Sequence, residues 1–250
     1  MKIERPARQQ KLHLSTPVKV ILILGLSGAL AAGYFVYPTL RTRTRRMVRL
    51  GEWFRENAVH ADWAVSAGSR CGQAPFAMPT DGYIGFVWGD SFHPGHKHQG
   101  LDIFGGSGVG ETPVVAAYDG YLTRQPEWRS AVIVRVPQDP LQPDRQIWLY
   151  YTHMADRDGE SFIDPAFPPG TSEVFVEAGT PLGYQGNYSG DPFNPTGVHL
   201  HFSIVLDDGQ GGYRNELEIR NTLDPSPYLG MRLNAADNTD QVPVCEAEAG

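Results

Sequence analysis

Apolar and polar positions along the chain fall into three textures. The first is a continuous apolar run, Val18 to Tyr37, reading VKVILILGLSGALAAGYFVY, with Lys19 at its edge as the only charge. A run of this length is enough to cross the hydrocarbon core of a bilayer as one helix. The second texture covers residues 41–66, where Met47, Leu50, Phe54 and Ala58 recur at spacings of three or four, as on one face of a helix. Such a helix suits either a membrane surface or a solvated linker. From Cys71 onward short β-rich runs alternate with Gly, Pro, Asp and Asn. Strands are predicted over Thr112–Ala117, Gly120–Thr123, Ala131–Val136, Gln146–His153, Glu173–Val176 and Val198–Val205. Strands so spaced, with no long helical period between them, predict an all-β sandwich or barrel-like sheet.

Charge divides the chain in the same place. Residues 1–50 hold ten Lys or Arg and one acid, Glu4, so with a net charge of −7 the remainder carries −16. An acidic body argues against a nucleic-acid partner, whereas a basic leader suits anionic lipid headgroups. Basic residues flank the apolar run five to a side, which leaves its orientation undecided by the positive-inside rule. Ala29-Leu30-Ala31 offers a signal-peptidase site, but the apolar run continues to Tyr37, which favours an uncleaved anchor. The two cysteines, Cys71 and Cys245, bracket nearly all of the acidic body. In an exported domain they would form one long-range bridge; in a reducing compartment they would be two unrelated thiols. Two Gly- and Pro-rich stretches, Ala155–Ser172 and Gly190–Gly197, interrupt the strand rhythm and read as functional rims or insertions.

Candidate chemistry is concentrated in the histidines, six of eight lying between His93 and His201. In VHLHFSIV, Val198, Leu200, Phe202 and Ile204 alternate with His199, His201 and Ser203. On a strand the first set faces a core and the second places two imidazoles on one face about 7 Å apart. Imidazoles there are costly to bury without partners, which points to metal binding or acid–base work. His98 and Asp102 lie four apart in a Gly-rich stretch that reads as bent strand or loop. With one further imidazole they make a His₂-carboxylate set, suited to Zn²⁺ with an open position and also to non-haem iron. His153 closes a strand in YTHM. His93 and His96 read as solvated loop residues. No HExxH, GxSxG or phosphate-binding loop with a Lys is present.

Three motifs in this order, HxxxD at His98–Asp102, YTHM around His153 and GVHLHF over Gly197–Phe202, resemble those of the lysostaphin-like, LytM-type zinc metallopeptidases. The connecting runs GLDIFGGSGVGETPVVAAYDG, VEAGTPLGYQGNYSG and LDPSPYL resemble that family too, so the likeness covers roughly 75–230. It implies a mainly antiparallel β-domain with a metal in a long groove. It also implies one zinc ion on His98, Asp102 and His201, with His153 and His199 as the catalytic pair. The implied activity is hydrolysis of peptide bonds in peptidoglycan cross-links or stem peptides. A non-catalytic wall-binding or amidase-activating relative is the alternative. Ser203 stands where the family frequently has Glu, and Val198 where it frequently has Pro.

The layout expected from these readings is a basic tail over 1–17, a transmembrane anchor or signal over 18–38 and a juxtamembrane segment over 39–70. A metallopeptidase domain over 71–235 and an acidic tail over 236–250 follow. The expected location is the cell membrane, single-pass, with the domain outside the cytoplasm, or secretion after signal cleavage.

Overall fold

The computed structural model describes residues 16–17, 45–91, 95–238 and 241–245. The apolar run over 18–38 and His93 lie outside the described residues. Among the described residues no helix is long and apolar enough to cross a membrane.

The all-β expectation holds for the body. Its main sheet is built from β1 (Ala64–Val65), β2 (Gly82–Phe86), β3 (Leu101–Phe104), β5 (Gly120–Thr123), β6 (Val132–Val136), β7 (Ile147–Thr152), β8 (Val174–Val176), β10 (Leu200–Leu206) and β11 (Thr222–Leu223). The spatial order is β1-β2-β3-β10-β7-β6-β5-β8, with β11 beside the far end of β10. Every named pairing is antiparallel. A second, two-stranded sheet pairs β4 (Pro113–Val115) with β9 (Pro181–Tyr184).

Strand alternation decides which face of the main sheet is dry. Leu200, Phe202 and Ile204 of β10 enter a core with Leu101, Ile103, Leu149, Tyr151, Val132 and Val134. Val114 and Leu182 of the small sheet join that same core. The opposite face of β10 carries His201, Ser203 and Val205, in register with Thr152, Tyr150 and Trp148 of β7. That face is polar around His201, while further along it Val205 and Trp148 are buried with Ile133 in a second apolar cluster flanked by Trp128 and Tyr213.

The segment ahead of the sheet is helical over 45–56 (α1). Its buried positions are Arg46, Leu50 and Trp53, while Met47 and Phe54 stay 51% and 46% exposed. The buried face is thus turned by about one residue from the one that apolar spacing suggests. Two polar anchors account for this: the Trp53 indole N–H donates to Phe104 O at 2.8 Å, and Arg46 pairs with Asp90. Leu50 and Trp53 then pack with Tyr83, Phe86 and Phe104.

At the other end a four-residue helix, α2 (Ser226–Leu229), packs Tyr228 and Leu229 into the core and stops at Gly230 in a left-handed turn. Cys71 and Cys245 are joined by a disulfide across a sequence separation of 174. Closing so long a loop restricts the unfolded chain, and in that model a bridge is worth roughly 2–5 kcal/mol. Cys71→Ser should accordingly lower the urea unfolding midpoint. An unchanged midpoint would show that the bridge does not act on the folding equilibrium.

Candidate metal centre

The site is assembled from three neighbouring strands and one loop. His201 of β10 is the Cα partner of Asp102 on β3 and of Thr152 on β7, so the three stand in a row across the sheet. His98 reaches the same point from the loop before β3. Gly100 makes this approach feasible, since a Cβ there would sit 2.2 Å from Phe202 O.

His98 Nε2 lies 3.0 Å from Asp102 Oδ1 and 3.1 Å from His201 Nδ1, and His201 Nδ1 lies 2.9 Å from Asp102 Oδ1. Two imidazole nitrogens and one carboxylate oxygen thus form a near-equilateral triangle. A tetrahedral ion with bonds of about 2.0–2.1 Å holds its donors roughly 3.3 Å apart, so the three atoms match one triangular face of such an ion. These three residues form the one compact metal-holding group among the described residues. His96 is not part of it.

Hydrogen bonds fix which nitrogen each ring offers. His98 Nδ1 donates to Val87 O at 3.1 Å, leaving Nε2 as the lone-pair atom facing Asp102. His199 Nδ1 donates to Gly197 O at 2.7 Å, and its Nε2 lies 3.5 Å from Asp102 Oδ1. His153 Nδ1 donates to Tyr188 O at 2.6 Å. A carbonyl can only accept, so these three rings carry their proton on Nδ1 when neutral.

His153 and His199 stand side by side, ring centroids 4.5 Å apart, and His153 is 6.3 Å from His201. His153 follows the end of β7 and has a left-handed backbone, φ 71°. That conformation is unusual for a β-carbon-bearing residue and takes the side chain out of the strand's alternation. All five histidine and aspartate residues singled out by the sequence are therefore brought to one place.

Electrostatics divide the roles. Burial raises the cost of the Asp102 carboxylate, but the surrounding imidazoles outweigh it and hold the group well below its ordinary range. Burial lowers His98, but the Asp102 charge and the Val87 carbonyl more than offset this, and its pKa rises. Burial, followed by the neighbouring His199 and His201, pushes His153 from 6.5 down to about 3. In metal-free protein this has a definite sign. Between pH 6.5 and about 3 the unfolded chain takes up a proton that the folded site refuses, so stability falls as pH drops through that window. Lowering pH from 6.5 to 5 should cost about 2 kcal/mol through this group alone. His153→Gln should flatten the pH dependence of the urea midpoint by that amount, and equal slopes would disprove the burial effect.

Sequence reasoning overlooked one partner of the site. Phe104 stacks on His199 with centroids 5.0 Å apart and planes 24° from parallel. Its position two residues after Asp102 on β3 puts it on the same face, which is the signal that could have found it.

Thus HxxxD, the His after YT and HLH, far apart in sequence, close around one point. The chain resembles the lysostaphin-like peptidases. No family model matches it, and no curated protein matches it. Solved structures do. The antimicrobial peptidase lysostaphin from Staphylococcus simulans aligns at 20% identity and TM-score 0.38, over 59% of this chain and 49% of that one. Csd3 from Helicobacter pylori aligns at 19% identity and TM-score 0.37, over 62% of this chain and 34% of that one. A zinc-containing peptidase from Vibrio cholerae aligns at 16% identity and TM-score 0.36, over 60% and 40%. The chain therefore spans half or less of these lysostaphin-like and related proteins. Scores this low describe a loose overall superposition, and the site stands on its own residues and distances.

Proposed function

We propose that the protein is a zinc metalloendopeptidase that cuts peptide bonds in peptidoglycan. The observation that carries this reading is the His98–Asp102–His201 triangle with two further imidazoles beside it. Two neutral nitrogens and one carboxylate suit Zn²⁺, and three protein ligands leave a position open for water. A zinc ion held there supplies a Lewis acid that activates water toward a carbonyl.

His98 offers Nε2, His201 offers Nδ1 and Asp102 offers Oδ1. His199 is the general base in this reading. With Nδ1 donating to Gly197 O, Nε2 is the lone-pair atom of its neutral ring; it lies 3.5 Å from Asp102 Oδ1 and can take a proton from water and return it to the leaving amine. His153 is a poor base, being held neutral down to about pH 3, so it orients water by accepting a hydrogen bond at Nε2.

The leader completes the proposal: residues 18–38 anchor the chain, and the domain works outside the cytoplasm, where the Cys71–Cys245 bridge is maintained. The test is to incubate the full chain, with and without zinc, with purified peptidoglycan of several cross-link types and weigh the released fragments. New amine and carboxyl ends that disappear with a chelator are expected. Intact peptidoglycan in every case would replace the enzyme reading with that of a wall-binding relative.

A further inference from the structure

We infer that α1 is a positioning element of the metal site, acting on the ligand His98 through Arg46 and on His199 through Phe104. The inference rests on the zinc reading above.

The first arm begins with a buried charge. Arg46 is 3% exposed, its Nη1 lies 3.4 Å from Asp90 Oδ2, and its Nη2 donates to Asn238 O at 2.7 Å. Burying a guanidinium is costly unless it is paired, and Arg46 is buried on the same helix that Leu50 and Trp53 seat by apolar packing. The charge is directed at a turn that holds His98 on several sides. Asp90 Oδ2 also accepts the Val87 N–H at 2.9 Å, and Asp90 N–H donates to Val87 O at 3.2 Å, closing the turn. Asp90 O accepts the His98 N–H at 2.7 Å, and Gly89 N–H donates to His98 O at 2.8 Å. Val87 O accepts from His98 Nδ1 at 3.1 Å. Arg46 thus fixes the carboxylate that fixes the turn whose carbonyl sets the orientation and protonation of the ligand ring.

The second arm runs along the same helix. Trp53 Nε1 donates to Phe104 O, and Phe54 meets the Phe104 ring edge-on with centroids 5.6 Å apart. The other face of that environment is His199, stacked on Phe104. Asn57 extends the grip by donating from Nδ2 to Gly106 O at 2.9 Å. One helix of about three turns therefore holds both a metal ligand and the proposed base, from positions about two turns apart.

The two arms make different predictions. Partners that orient a ligand typically change metal affinity or activity 10–100-fold. In the full chain, Arg46→Met should weaken zinc binding at least about 10-fold in a chelator competition. Arg46→Lys should recover part of that loss, because it restores the charge. Phe104→Leu should leave zinc affinity within about 2-fold and lower kcat roughly 10-fold with KM unchanged, since it frees only the base. Leu122→Ala, a cavity in β5 away from the site, serves as the control for general destabilisation and should keep zinc affinity. If Arg46→Met does not fold, Asp90→Asn, which keeps the shape but removes the carboxylate, provides the same reading.

Wild-type affinity in Arg46→Met or Asp90→Asn would overturn the first arm. A loss of zinc in Leu122→Ala equal to that in Arg46→Met would reduce the effect to stability and overturn it as well. Unchanged kcat in Phe104→Leu would overturn the second arm. A wild-type chain that binds no zinc would instead reject the zinc reading, and this inference with it.

Discussion

His201→Ala should leave the protein without retained zinc and lower peptidoglycan cleavage about a thousandfold or more. The size follows from the site. His201 is the residue on which the other two donors converge, at 2.9 Å and 3.1 Å from its Nδ1. Removing it leaves one imidazole and one carboxylate, too few for the closed side of a tetrahedral site. A Lewis acid contributes several kcal/mol at the transition state, and each 1.4 kcal/mol is a factor of ten in rate. The measurement is metal content by mass spectrometry beside fragment release from peptidoglycan. Full zinc content in the variant would remove His201 from the ligand set.

The second large effect separates metal from proton transfer. His199→Ala should keep zinc yet lose about 10²–10⁴ in turnover, the usual contribution of a positioned acid–base group. His153→Ala should also keep zinc but lose less turnover, since a ring pushed down to about 3 orients water rather than taking up its proton. If His153→Ala cost more turnover than His199→Ala, the two roles would have to be exchanged.

Legibility in the sequence tracked how each residue is used. β10 could be read because its core-facing Leu200, Phe202 and Ile204 alternate with His201 and Ser203. β2 and β3 could not, because all their positions are buried and no alternation survives. His98 and Asp102 stood out by residue type and spacing. The means of aiming His98 did not, because Val87 acts through its carbonyl and a carbonyl leaves no mark on the sequence. Arg46 was the most misleading residue. Among five arginines after the apolar run it counts as one leader charge, whereas it is buried against Asp90. Of the helical period read over 41–66, the structure has a helix over 45–56, with Ala58 beyond it in a turn and 64–65 in β1, and its buried side was set by Trp53 and Arg46, whose polar ends decide the docking.

The Cys71–Cys245 bridge makes the stretch between them a covalent ring. His98, Asp102, His153, His199 and His201 all lie inside that ring, as do both long loops, 155–172 and 190–197. A single cut in either loop by another protease would open the ring without producing two molecules. The fragments carrying His98 and Asp102 would stay tethered to the one carrying His201. Such a tether keeps the halves of the site together after a nick, because they cannot diffuse apart.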